Sequence, residues 1–330
     1  EIVIESTHHG PIVAHKDGKA YSAAIPYANE YRLIEQNWRV MTARNLAEVK
    51  DALAMLQLMQ QNVMVATTGG DIYYVRNGRV PVRPAGCDPS KPMPGATGEC
   101  EWQGLHPFAD LIQVTNPPQG YMQNNNTSPE WMMKDSPMTP DRYKDRPYLF
   151  NFAPGPPHQR AAMSLEELSK AEGVTVERAM RLAFSTGVFG AEKWQERIRK
   201  ASPEPSEFVK LLVDWDRRMD ADSRGAMGFY LFKKALPEKI ARAFIPPAEV
   251  TDEQIVAALA AAGKRLSSEF APGAVWGSYF RVGREGSDRN WPVGGGSLID
   301  AGMAAPRAVS YSKKGEVMVG HTGQTSTQIV

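Results

Sequence analysis

Three consecutive asparagines, Asn124, Asn125 and Asn126, stand in the stretch Asn116-Pro117-Pro118-Gln119-Gly120-Tyr121-Met122-Gln123-Asn124-Asn125-Asn126-Thr127-Ser128-Pro129. Each carries two N–H donors and one carbonyl acceptor without a charge. Such a group can hold an oxygen that gains negative charge and will not compete for its proton. Pro117 and Pro118 fix φ and Gly120 frees it, so the backbone bends sharply just ahead of the amides. Asn, Pro, Gly and Ser also make up ordinary solvated loops, and composition alone favours that plainer reading.

Other residues with chemical potential are fewer. His8, His9 and His15 could suggest a metal site, but adjacent residues of a strand point to opposite faces. No carboxylate or cysteine is placed to complete a ligand set, so a structural role is expected and no metal site is assigned. Cys87 and Cys100 flank a loop, Asp88 to Glu99, with almost no means of packing itself. The two are either unrelated thiols or a disulfide. A bridge would stabilise the loop by about 3 kcal/mol and would persist only in an oxidising compartment.

The elements that must position these groups are legible in part. The chain has 330 residues, room for about two domains, with 42% hydrophobic and 23% charged residues, as in a globular protein. A net charge of +1 gives no electrostatic footprint for nucleic acid or an anionic membrane. No apolar run is long enough for a membrane span, and the opening Glu1-Ile2-Val3-Ile4 has no signal core.

Ile2 to Ala14 and Ala20 to Ala23, joined at Asp17-Gly18, predict a β-hairpin. Asn45-Leu46-Ala47-Glu48 reads as a capping box that opens a helix, and Asn62 to Thr68 with Ile72 to Val75 as paired strands. Trp102, Leu105, His106, Pro107 and Phe108 look like an aromatic plug. Tyr148-Leu149-Phe150-Asn151-Phe152 is an apolar segment that lines a pocket or crosses beneath it. Ser164-Leu165-Glu166-Glu167 is another capping-box pattern. Helices are expected at about 165–172, 176–185, 191–200, 207–218, 226–236 and 252–268, with Trp194, Phe208, Leu211, Leu212 and Trp215 inward. A hairpin is expected over Ala308 to Ser312 and Glu316 to His321. The chain stops in a strand-like run, Gln328-Ile329-Val330, which suggests a continuation.

Four segments, in order, carry a family resemblance. They are Gly69-Gly70-Asp71-Ile72-Tyr73-Tyr74-Val75, Gly78-Arg79-Val80-Pro81-Val82-Arg83, Glu101-Trp102-Gln103-Gly104-Leu105-His106-Pro107-Phe108 and Asn116-Pro117-Pro118-Gln119-Gly120-Tyr121. Their order and spacing resemble the penicillin acylase family of N-terminal-nucleophile hydrolases, with the signature strongest from Thr7 to about Arg160.

The resemblance implies an α+β fold: part of an αββα core of antiparallel sheets with helices, plus a largely helical segment. Residues 1–160 would be the core portion with the asparagine loop and 161–270 the helical segment. Residues 271–330 would return to the core and be truncated at the C-terminus. It places the catalytic asparagine at Asn126, makes Asn124 structural, and matches Arg160 to the arginine kept beside that asparagine. In the family the nucleophile is an N-terminal Ser, Thr or Cys whose own α-amino group is the base. Glu1 cannot fill that role, so the nucleophile is expected upstream, in a missing segment of the same precursor, and this fragment alone is expected to be inactive.

Periplasmic or secreted location, the Cys87–Cys100 bridge, and a small-molecule acyl amide substrate are implied in the same way. Relatives use β-lactams, acyl-homoserine lactones and lipopeptides. No cofactor is implied. A calcium site known in some members looks incomplete: Asp88-Pro89 fits its motif, but Tyr148 stands where a ligating aspartate is expected. The competing reading is a non-catalytic binding or scaffold protein that keeps the acylase fold.

Overall fold

Asp17 and Gly18 both lie at positive φ, 51° and 71°, the paired left-handed conformation that a two-residue hairpin turn requires. They join β2 (Gly10–Lys16) to β3 (Lys19–Ser22), and a short β1 (Ser6–Thr7) pairs with the start of β2. In the computed structural model, residues 3–150, 155–284, 289–296 and 301–323 are described. Asn151, Phe152 and the closing run at Gln328 lie outside them. The chain divides into two units, one of Glu1–Met122 with Ser128–Pro154, the other of Gln123–Thr127 with Gly155–Val330.

The first unit continues with α1 (Leu33–Thr42), α2 (Leu46–Leu53), β4 (Gln61–Ala66), β5 (Ile72–Asn77) and β6 (Gln113–Thr115). The predicted cap of α2 is present: Asn45 Oδ1 accepts from the Glu48 amide at 3.0 Å, and the Glu48 carboxylate accepts from the Arg44 amide at 2.8 Å. Strands β4, β5 and β6 form an antiparallel sheet in that order. Its central strand is fully buried at Tyr73, Tyr74 and Val75, against Leu53, Ile112, Met132, Leu149 and Phe150. Leu149 and Phe150 are therefore core residues of this unit. Helix α1 carries no expectation from sequence, because its inward residue is Gln36 while Ile34, Trp38 and Met41 are exposed.

The second unit is built from α3 (Gln159–Ser169), α4 (Val176–Ala183), α5 (Ala191–Ala201), α6 (Glu207–Val213), α7 (Arg224–Ala235), α8 (Glu238–Ala241), α9 (Asp252–Glu269) and α10 (Trp276–Tyr279). Its strands are β7 (Phe280–Gly283), β8 (Asn290–Pro292), β9 (Val309–Lys314) and β10 (Val317–Gly323). The Thr251–Gln254 capping box opens α9 with both reciprocal bonds made, at 3.1 and 3.2 Å. Trp194, Leu212 and Trp215 are buried as expected, among Phe229, Phe232, Trp276 and Phe280.

The sheet runs β8-β7-β10-β9, with β10 antiparallel to β9 but parallel to β7. The expected antiparallel layering therefore holds except at this one pairing, where the long connection from β7 to β10 allows a crossover. Inside the helical core, Lys233 of α7 is 1% exposed. Its ammonium donates to the Ala243 carbonyl at 2.7 Å and lies 3.9 Å from the Trp194 ring centroid. Burial pushes its pKa down to about 7.

Candidate active site

Pro156 and Pro157 have no amide hydrogen to give a helix, so α3 starts just beyond them. His158 is extended (φ −67°, ψ 163°) and its Nδ1 accepts from the Ala161 amide at 3.4 Å, a long capping bond. The helix thus begins six residues ahead of the expected start at Leu165. Ser164 and Glu167, which looked like a capping box, lie inside it and point elsewhere. The cause is the two-proline break, which fixes the helix start more firmly than the Ser-x-x-Glu pattern.

This early start puts Arg160 in the first turn of α3, at the positive end of the helix dipole, where a cation is unfavourable. Burial lowers its pKa below the usual guanidinium range. Among the described residues no carboxylate bridges it. Two oxygens compensate: one Nη2 donates to the Asn125 carbonyl and to Asn126 Oδ1, each at 2.9 Å. Helix stability would not place an arginine here, so its value lies in what it holds.

What it holds is the amide of Asn126. Because a guanidinium can only donate, it must face the carbonyl oxygen, and the Asn126 Nδ2 is turned the other way. Among the described residues nothing accepts from that NH2, and Asn126 is exposed. The backbone of Asn126 has φ 62°, a left-handed conformation that asparagine tolerates better than most residues. Asn124 braces it, its Oδ1 accepting from the Asn126 amide at 2.9 Å. Asn125 anchors the other side: its Nδ2 donates to Gln123 Oε1 at 2.7 Å and Ser164 Oγ at 2.8 Å. The three asparagines divide into a brace, an anchor and a presented donor.

The sequence pointed to Asn126, Asn124 and Arg160, and the structure brings these together. It gave no role to Asn125 or His158 and read Ser164 only as a helix cap. Only the Pro-Pro-His run could have signalled the true helix start. His158 is held neutral, its pKa lowered first by burial and then by the Arg160 charge. Below the loop, a cavity of about 270 Å³ is lined by Asn124, Asn125, Ser164, Glu167, Leu182 and Pro306. Glu167 accepts from Ser185 Oγ at 2.5 Å, and burial raises its pKa above the usual carboxylate value.

The first unit was expected to hold a bridge and an incomplete calcium set. Cys87 and Cys100 are joined, with their Cα atoms 5.8 Å apart. The Asp88 carboxylate accepts from the Ser90 amide at 3.0 Å and hydroxyl at 2.7 Å and faces Lys91 Nζ at 3.2 Å. The Tyr148 hydroxyl meets His106 Nε2 at 3.0 Å. Neither faces a further carboxylate among the described residues, so Asp88 and Tyr148 do not fit a calcium site.

The penicillin amidase sequence profile matches residues 1–324. This chain belongs to the penicillin amidase family. Over 244 residues, 72% of the chain, it is 28% identical to the penicillin acylase 2 proenzyme of Pseudomonas sp. (strain SE83). Over 121 residues, 37% of the chain, it is 35% identical to the penicillin G acylase of Escherichia coli. These alignments reach 30% and 12% of the two relatives, so the chain spans less than a third of the length of either. A solved thermostable penicillin G acylase from Alcaligenes faecalis superimposes with a TM-score of 0.54 at 19% identity, covering 81% of this chain and 57% of that one. The two share a fold of mixed helices and mainly antiparallel sheets. No helix among the described residues is long and apolar enough to cross a membrane.

Proposed function

We propose that this chain supplies the oxyanion-stabilising part of an amide hydrolase of the penicillin acylase type, with Asn126 as the donor and Arg160 as the residue that positions it. The observation that carries the reading is the orientation of the Asn126 amide, whose oxygen is tied to Arg160 and whose NH2 is presented. In the reaction, a hydroxyl or thiol attacks the acyl carbonyl while an α-amino group takes its proton. The carbonyl oxygen becomes an oxyanion, and Asn126 Nδ2 donates to it. Collapse expels the amine, leaves an acyl-enzyme, and water then releases the acid. The Arg160 charge draws electron density from the Asn126 carbonyl, which strengthens the donor at the moment charge develops.

The nucleophile belongs to another segment of the same precursor, and the 330 residues alone turn over nothing. Membership of a family whose Pseudomonas relative is a proenzyme, and the chain's limited span of that relative, support this division. The substrate is a small acyl amide such as a β-lactam side chain, an acyl-homoserine lactone or a lipopeptide. The Cys87–Cys100 bridge favours a periplasmic or secreted location. The test is turnover of these three amide classes by the enzyme matured from the precursor, against its Asn126→Gly variant. Glycine keeps the left-handed backbone and removes only the amide, so a large fall in kcat is expected. Unchanged turnover would make the loop a scaffold and overturn the reading.

A further inference from the structure

His8 and His9 are not strand residues. They form the two-residue turn between β1 and β2, where Thr7 pairs with Gly10. The alternation that sends strand neighbours to opposite faces therefore does not apply. Their rings lie on one side, with centroids 3.8 Å apart. The expectation that no carboxylate completes a set fails for a tertiary reason, because Glu101 arrives from more than ninety positions along the chain. His8 Nε2 and His9 Nε2 reach the same Glu101 oxygen, at 3.1 and 2.6 Å. His15 is elsewhere, with Glu5 at 3.0 Å.

Glu101 directly follows Cys100, so the disulfide fixes where its carboxylate is presented. The same loop closes over His9: a Cβ at Gly95 would stand 3.1 Å from His9 Cε1. His9 is accordingly half-buried, whereas the His8 side chain is 70% exposed. Three ligand atoms within 4.8 Å of one another thus sit at a covered base with an open outer side. Two imidazoles aimed at one oxygen are an inefficient hydrogen-bond pattern, since both must keep a proton on Nε2 to donate. A cation replaces those protons with a single centre that all three groups can share. Tetrahedral zinc with bonds of about 2.0–2.1 Å needs ligand atoms about 3.3 Å apart, so the closest pair, at 2.6 Å, would have to open by about 0.7 Å.

We propose that His8, His9 and Glu101 form a binding site for a divalent first-row transition ion, with zinc as the ion its donor set fits best. Two imidazoles and one carboxylate are a zinc set that leaves a fourth position, on the exposed His8 side, for water. Hard oxygen-seeking calcium and magnesium suit it poorly. Both cysteines are bonded to each other, so no thiolate competes. The ion would clip the first hairpin to the disulfide loop. This inference does not depend on the proposed hydrolase activity.

The test is calorimetric titration of the 330-residue chain with zinc chloride after chelator treatment, near neutral pH and without reductant. One zinc per chain is expected, with affinity lowered at least about tenfold by Glu101→Ala and by His9→Ala, and unaltered by His15→Ala. X-ray absorption at the zinc edge of the unmodified chain reads the same claim without a variant: imidazole nitrogens must appear at about 2.0–2.1 Å. Equal binding by the unmodified chain and Glu101→Ala, or a shell of oxygens alone, would overturn the proposal.

Discussion

Arg160 and Lys233 are two cations of the same unit, the first partly and the second almost wholly withdrawn from water, neither bridged to a carboxylate among the described residues, and they are put to opposite ends. Lys233 points inward, to the Ala243 carbonyl and the Trp194 face, deep among aromatic side chains. Arg160 points outward, to a carbonyl and to the side chain of an exposed asparagine. Burial lowers the pKa of both. A lysine can shed its proton when desolvation becomes costly, whereas a guanidinium keeps its charge. In the proposed function, the cation that polarises a neighbour is the one that cannot be neutralised. The one that only fills the core can be.

The largest effect that sharpens this contrast is at the presented amide. Asn126→Gly should lower kcat of the matured enzyme by about 10²- to 10³-fold, or about 2.7–4 kcal/mol of barrier, with little change in KM. Steady-state kinetics on an acyl amide reads it directly.

Lys233→Met should act on stability and its pH dependence. An unfolded lysine titrates near 10.4, while the folded group lies at about 7. Between these values the unfolded chain holds a proton that the folded chain has given up. Stability therefore rises with pH from about 7 to about 10 and carries the full penalty below that window. The methionine variant should lose this slope and gain on the order of 1–3 kcal/mol near neutral pH, read by urea unfolding at both ends of the window. A slope that survives the substitution would break the comparison.

Arg160→Lys keeps the charge but loses the planar fork. It is expected to cost about tenfold in kcat, about 1.4 kcal/mol, with unfolding midpoints close to the parent. The smallest effect is at the brace. Asn124→Ser retains an oxygen but shortens its reach to the Asn126 amide, and about a two- to fivefold loss of kcat is expected, about 0.4–1 kcal/mol.

How far these features were legible depended on whether their cause was local. Asp17-Gly18 and Asn45-x-x-Glu48 specify their turn or cap within four residues, and both were read from the chain alone. Ser164-x-x-Glu167 has the same local form, but Asn125 and Ser185 claim its side chains. Helix α1 was hidden because it turns Gln36 inward and Ile34 and Trp38 outward, against the usual pattern. The loop asparagines were recognised by type and order. The resemblance separated Asn126 from Asn124, but the anchoring of Asn125 was not legible, since it depends on Ser164, more than thirty positions away. His8 and His9 were placed on a strand where a turn sits, and Glu101 is brought near them only by the folded loop.

The central claim is that Arg160 acts through Asn126. A double-mutant cycle on the matured enzyme tests it most directly, with kcat measured for Asn126→Gly, Arg160→Lys and the pair. The account requires the arginine effect to vanish once the asparagine is gone, so that the double variant is no slower than Asn126→Gly. Two losses that multiply would show Arg160 acting independently and would contradict it.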